Sequence, residues 1–254
     1  MTTDRLREHY GAKYADEAHV AEPPTATPLR LPYPLGRIEA ACAALPDLIA
    51  GKNVLELGSG DGAVAHSLAV GGVPFTSYTL GDISQPRLDG IAKRLSDERF
   101  RFRMADADEL SELGETYDAV VMIALIEHLI DPIRSMTSVR ATLAPGGFVY
   151  IDTPNVAKWT RRLKLALGRF PSTASADEGL RTYGGDPADL LDEGHLHYFT
   201  FRSLEVMLTR RCGFTRVEPV PYAPERRPFG ARLGTQLAQA RPQLFSELAC
   251  VAYA

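Results

Sequence analysis

Residues 54–62 read Val-Leu-Glu-Leu-Gly-Ser-Gly-Asp-Gly, and no other stretch limits the fold as tightly. Val54, Leu55 and Leu57 are strand formers, and the glycines after them cannot continue a strand cheaply. Gly58, Gly60 and Gly62 permit a tight turn and let backbone approach a ligand where a Cβ would collide. Residues 63–70 have helical character, so the turn delivers the chain to a helix N-terminus. A strand, a glycine loop and a helix in that order make a nucleotide crevice.

Two ligands compete for such a loop. Gly58, Gly60 and Ala63 fit the dinucleotide pattern G-x-G-x-x-G/A, which implies a pyrophosphate and a nicotinamide-dependent oxidoreductase. Yet Glu56 stands two residues before the first glycine, and Asp61 stands inside the loop. Two carboxylates beside a diphosphate repel it, whereas beside an ammonium or a sulfonium they attract. S-adenosylmethionine carries both cations and no phosphate. The stretch resembles motif I of the class I S-adenosylmethionine-dependent methyltransferases, V-L-E/D-x-G-x-G-x-G, at every specified position. The resemblance implies an α/β fold: a Rossmann-like seven-stranded sheet, mostly parallel with one antiparallel strand. A helical N-terminal arm and a cap insertion accompany it. It also implies S-adenosyl-L-methionine as cofactor and S-adenosyl-L-homocysteine as product.

The 254 residues suit one α/β domain with an elaborated cap. We read residues 1–46 as an arm or lid, residues 47–254 as the cofactor-binding domain, and residues 156–200 as a substrate cap within it. A net charge of −4 argues against a dedicated nucleic-acid binder, so a small-molecule substrate is expected. Cys42, Cys212 and Cys250 form neither a metal spacing nor a disulfide framework, which points to a reducing cytoplasm. No apolar run reaches the roughly 18 residues of a membrane span, and the first residues lack the apolar core of a signal peptide.

In chain order, residues 38–48 follow a helical pattern after a proline-rich stretch. Residues 75–80 read as the second strand, ending at Gly81 and Asp82. An acid at that point of a nucleotide-binding unit accepts hydrogen bonds from a ribose diol. Residues 99–104 alternate Arg and apolar side chains, as an edge strand does, with the arginines read as solvated edge protection. Residues 117–123 read as a buried strand, and Asp131-Pro132 as a helix start with Asp at the N-cap. Residues 144–147 read as a turn before a fifth strand at 148–152. Thr200 is placed to cap a helix over 201–211. Residues 214–220 and 248–254 read as a final strand pair, with 221–243 a long link between them.

The resemblance extends over about residues 50–220 and assigns roles. Glu56, Gly58, Gly60 and Asp61 hold the cofactor, joined by Asp82 and Ile83 at the ribose and by Asp106 and Ala107 at the adenine. Ala124, at the end of the fourth strand, offers backbone to the methionine portion. Glu127-His128-Leu resembles the "EHL" segment of the ubiquinone-biosynthesis-like methyltransferases, and the segment from His195 to Phe201 resembles their H-x-R/H-x-F-T. His128 and His195 are the catalytic candidates, because imidazole suits proton removal near neutral pH. Tyr14, Arg37 and His197 are candidates for substrate contact. Structural packing is the competing reading for each histidine and for the arm residues. No convincing third ligand accompanies His195 and His197, so no metal is assigned. The basic stretch 159–169 suits either an anionic substrate, a membrane surface or plain solvation. The expected activity is O-methylation of a sugar or polyketide-type hydroxyl in bacterial natural-product or envelope-glycan synthesis. The alternatives are an NAD(P)-dependent oxidoreductase and a non-catalytic S-adenosylmethionine-binding module.

Overall fold

The computed structural model describes residues 22–171, 173, 195–223 and 230–254. Seven strands form a single sheet: β1 (Asn53–Leu57), β2 (Ser77–Asp82), β3 (Phe100–Met104), β4 (Tyr117–Ile123), β5 (Leu143–Thr153), β6 (Arg216–Pro219) and β7 (Leu248–Tyr253). Their order across the sheet is β3-β2-β1-β4-β5-β7-β6. The first five strands run parallel, and β7 lies antiparallel between β5 and β6. The order reverses between β1 and β4, which opens the crevice where such sheets place ligands.

Alternation along the strands sends side chains to two cores. Leu55, Leu57, Val120, Met122, Val149 and Ile151 face one cluster. It is closed by Met136 and Val139 of α4 (Pro132–Thr142) and by Leu204 and Leu208 of α6 (Phe201–Arg210). Val54, Tyr78, Leu80, Val121 and Tyr150 face the other. There α1 (Arg37–Leu48), α2 (Ala63–Val70) and α3 (Gln85–Arg94) supply Leu45, Val64, Leu68 and Ile91. Each fully buried Leu, Ile or Val contributes about 1.5–3 kcal/mol, so the cores fix the sheet that carries the crevice. α1 runs through residues 46 and 47, so the helix crosses the border drawn between arm and domain.

Local chemistry sets the boundaries. Asp131 accepts from the backbone N–H of Ile133 and Arg134, with Pro132 at the first helical turn. Thr200 and Ser203 close a reciprocal capping box at the start of α6. At the edge, Arg101 and Arg103 lie near Glu115 in exposed ion pairs, which contribute at most about 1 kcal/mol each. Phe100 is buried, but Met104 on the same strand is 41% exposed at its carboxyl end.

Two expectations need correction. Residues 144–147 do not separate two elements. They lie within β5, where the pairing slips from Tyr117 opposite Leu143 to Ala119 opposite Phe148. The extra residues are absorbed as a bulge, which keeps the ladder continuous. Residues 221–243 are not a plain link either, since α7 (Gly230–Ala240) and the short α8 (Pro242–Phe245) occupy much of it. α7 buries Thr235 and Ala238 while leaving Leu233 exposed, the one-sided pattern of a surface helix. The basic stretch forms α5 (Trp159–Ala166), which buries no residue.

Candidate active site

Strand register brings the proposed cofactor residues to one edge. Leu57 pairs with Gly81 and with Met122, and Asp82 pairs with Met104. The residues that follow these strands therefore sit side by side. Gly58, Gly60 and Gly62 all have positive φ, at 66°, 59° and 82°. The backbone N–H groups of Gly58 and Ser59 donate to the Gly81 carbonyl at 2.8 and 3.3 Å, clamping the loop to β2. The glycines differ in what requires them. A Cβ on Gly62 would lie 2.9 Å from Leu95, so that glycine serves helix packing. A Cβ on Gly60 would meet nothing within 4 Å, so the loop there faces open space.

Asp82 is buried, and its Oδ1 accepts from the Ser84 N–H at 2.9 Å. Ile83 beside it is half-buried. Asp106 holds its own turn by accepting from the Asp108 N–H at 2.9 Å, and Ala107 is buried. Asp61 is exposed and accepts from the Ala63 N–H at 3.1 Å, just before α2. Glu56 is buried beneath the loop, where its Oε2 accepts from the Tyr78 hydroxyl at 2.9 Å. Burial pushes its carboxyl up to about 8, against the pull of the Tyr78 bond. Ala124 has φ 50°, a left-handed conformation unusual for a side-chain-bearing residue, and donates to the Asp152 carbonyl at 2.9 Å. Strain of that kind, about 1–3 kcal/mol, concentrates where backbone must face a ligand. The donor set suits an adenosyl sulfonium: acids at the ends of β1 and β2 and after β3, an open glycine, and no basic residue from 54 to 62.

The second half of the site is built on the short turn Ile126–His128. The Glu127 carbonyl accepts from the N–H groups of Leu196 and His197 at 2.8 and 3.1 Å, which pins the distant histidine segment to this turn. His128 and His195 then meet edge to face, centroids 4.8 Å apart and planes at 72°. Thr173 Oγ1 lies 2.6 Å from His195 Nδ1 and orients that ring. The Glu127 Oε2 accepts from the Thr153 hydroxyl at 2.8 Å, while its buried Oε1 has no partner. Burial raises the Glu127 carboxyl above the usual range. Glu127, His128 and His195 each present one ligand atom within 4.8 Å of the others. A carboxylate and two imidazoles suit a divalent cation, but bonds of about 2.1 Å would require the three to draw closer. His197 does not join this pair. Its Nε2 lies 3.3 Å from the Ile130 carbonyl oxygen.

Beside the turn, a cavity of about 230 Å³ opens at the carboxyl end of β5. Arg37, Asp152, Thr153, Thr173 and Tyr222 line it, so the expected substrate residue Arg37 is at the cavity. Tyr14 lies outside the described residues. The Tyr222 hydroxyl donates to Asp152 Oδ2 at 2.8 Å. Burial pushes Asp152 up to about 7, opposed by the Arg37 charge and the Tyr222 bond. Glu247 closes the wall, accepting from Lys158 and Arg161 at 2.8 Å each. Burial alone would raise Glu247, but Arg161 and Lys158 outweigh it and hold the group at about 2.

Sequence reasoning missed Asp152, Tyr222 and Glu247 as site residues. Asp152 left a signal, an acid closing the apolar run Phe-Val-Tyr-Ile. Tyr222 and Glu247 left none, because their partners are 70 and up to 92 residues away.

A methyltransferase-domain family model matches residues 34–218. The chain belongs to the class I S-adenosylmethionine-dependent methyltransferases. Membership sets aside the dinucleotide reading of the same glycines. The ubiquinone biosynthesis O-methyltransferase of Bordetella pertussis is 32% identical over 127 residues, covering 49% of this chain and 50% of that protein. The enzyme of the same name from Nitrosospira multiformis is 30% identical over 108 residues, covering 42% and 45%. The chain thus spans about half the length of the curated relatives it matches. A solved S-adenosylmethionine-dependent methyltransferase from Mesorhizobium loti shares the fold with a TM-score of 0.54 at 18% identity, covering 86% of this methyltransferase and all of that one. No helix among the described residues is long and apolar enough to cross a membrane.

Proposed function

We propose that this methyltransferase transfers a methyl group to a hydroxyl of a small molecule, of sugar or polyketide type, with His128 as general base. The observation that carries the reading is the His128–His195 pair, held at the end of β4 next to a cavity. The O-methyltransferase names of the curated relatives support oxygen as the acceptor atom.

S-adenosylmethionine supplies, when bound, a methyl group already activated by a sulfonium charge. The open loop at Gly60, with Glu56 buried beneath it, would face its cationic portion, Asp82 and Ile83 its ribose, and Asp106 and Ala107 its adenine. His128 takes the proton from the acceptor hydroxyl at a ring nitrogen, and His195 packs on that ring and steadies it. Holding nucleophile and methyl in line supplies much of the acceleration. In this reading residues 1–46 are an arm or lid and residues 156–200 a substrate cap. Residues 1–21, 172 and 174–194 of these segments lie outside the described residues. Three free, buried cysteines support a reducing, cytoplasmic setting.

The test is calorimetry followed by turnover. S-adenosylhomocysteine is expected to bind, and NADH is not. Tritiated methyl from S-adenosylmethionine is then expected on oxygen of a hydroxylated acceptor. Binding with no transfer to any sugar or polyketide hydroxyl would leave a non-catalytic module and sink the enzymatic reading.

A further inference from the structure

His195 meets different neighbours from the one its spacing in the sequence suggested. His197 Nε2 lies by the Ile130 carbonyl, while Glu127 and His128 come in from the turn after β4. Glu127, His128 and His195 each offer one ligand atom, and these atoms lie within 4.8 Å of one another. A tetrahedral ion with bonds of about 2.1 Å sets its ligands about 3.4 Å apart, so no pair here must close by more than about 1.4 Å.

The contacts behind these groups are those of a metal site. Imidazoles and carboxylates that hold a metal are usually fixed by a second hydrogen bond on the far side. Thr173 Oγ1 lies 2.6 Å from His195 Nδ1, and a ring that donates there carries its lone pair on Nε2. The Thr153 hydroxyl donates to Glu127 Oε2 at 2.8 Å. Glu127 is 1% exposed, and its Oε1 is buried without a hydrogen-bond partner. A carboxylate oxygen left that way is costly, and a bound cation removes the cost. Two imidazoles and one carboxylate suit zinc, cobalt or nickel, whereas magnesium and calcium favour shells of oxygen. Three protein ligands leave the fourth position of such an ion to water.

We propose that Glu127, His128 and His195 form a binding site for a divalent transition metal of the zinc type, and that filling it silences the methyltransferase by occupying the lone pair of His128. The silencing rests on the reading of His128 as general base, and the binding does not. A ring nitrogen bonded to a metal cannot take a proton from a hydroxyl. Binding sends any proton held by the three groups to water. Drawing the ligands together costs affinity, so the ion is exchangeable. Added zinc therefore lowers turnover, and a chelator restores it.

The experiment titrates cobalt(II), then zinc, into the full chain after treatment with a chelator. One cobalt per chain is expected, with the visible bands of a low-coordinate nitrogen and oxygen site, and zinc is expected to displace it. Magnesium is not. Thr173→Val is expected to weaken cobalt binding about tenfold, the usual effect of removing an outer contact, and Glu127→Gln and His195→Ala to weaken it more. Diethyl pyrocarbonate, which modifies unprotonated imidazole, reads the His128 lone pair directly. Peptide mass mapping of the unmodified chain is expected to show His128 protected when zinc is present. That measurement uses no variant, so it decides the matter even where a substitution disturbs folding. Absence of the visible bands, equal cobalt affinity in the parent, Glu127→Gln and His195→Ala, or equal modification of His128 with and without zinc would overturn the site. Calorimetry with S-adenosylhomocysteine on the same preparation keeps the two readings apart, since its failure would overturn the methyltransferase assignment and leave the cobalt result standing.

Discussion

The rings of His128 and His195 meet edge to face at 4.8 Å, although 67 residues separate them in the chain. One backbone carbonyl makes this possible. Glu127 accepts from two successive N–H groups of the later segment, so the turn after β4 and the segment before α6 hold each other. Thr153 on β5 fixes the Glu127 side chain in turn. The histidine pair is therefore anchored to two adjacent strands of the sheet, and its geometry follows from β4–β5 pairing.

If His128 removes the proton, His128→Ala should lower kcat by about 10²–10⁴-fold, the usual contribution of a general base. Affinity for S-adenosylhomocysteine should stay within error, because the residues read as holding ribose and adenine lie on other strand ends and Ala124 contributes backbone only. A single-turnover assay with calorimetry on the same preparation checks both. Adding a chelator separates a base from a metal ligand, and turnover is expected to survive it. Loss of cofactor affinity in parallel with rate would mean that the ring shapes the crevice instead.

If Asp82 holds the ribose, it acts in the ground state rather than in the chemistry. Asp82→Ala should weaken S-adenosylhomocysteine binding by about tenfold to a hundredfold, the loss of a charge-assisted hydrogen bond to ribose. The rate at saturating cofactor should change little. Calorimetry with unchanged affinity would remove Asp82 from the ribose.

The parts legible in the sequence are those set by neighbours. The glycine loop, the strand Tyr117–Ile123, the Asp131 cap and the Thr200 cap each depend on residues within a few positions, and each appears in the structure. The seven-stranded order was available only through the resemblance. The bulge in β5 was hidden because Ala-Pro-Gly-Gly carries turn chemistry, yet pairing on both sides holds it in the ladder. The cavity wall was hidden for a different reason. Asp152 with Tyr222, and Glu247 with Lys158 and Arg161, are joined by tertiary packing, and no periodicity encodes contacts at such separations.

Glu56 makes stability depend on pH in a direction that can be worked out. Its carboxyl ionises near 4.5 ordinarily and near 8 in the fold, chiefly through burial. Between those values the folded chain holds a proton that the unfolded chain has released. Stability contributed by that proton is complete below 4.5 and is lost as pH rises through about 8. Asp152 acts in the same sense between 3.8 and about 7. Glu56→Gln keeps the shape without the titration, so its thermal midpoint should exceed the parent's at pH 8 and converge with it toward pH 5. Parallel midpoint curves for the two proteins would show that Glu56 is already ionised in the fold.

Glu247 works in the opposite sense. Lys158 and Arg161, with side chains only 5% and 12% exposed, both pair with this one carboxylate. Its depressed ionisation means that its contribution is present above 4.5 and fades as pH falls through about 2. Glu247→Ala would leave two nearly buried cations without their shared anion. Breaking a buried pair from one side costs about 3–5 kcal/mol, a large share of an ordinary domain's stability. Glu247 also accepts from the Asn155 N–H at 2.9 Å, so the loop after β5 should loosen with it. Urea denaturation is expected to show the loss, and hydrogen exchange should place the added opening around residues 154–158. A midpoint within about 0.5 kcal/mol of the parent would mean that solvent already screens this cluster.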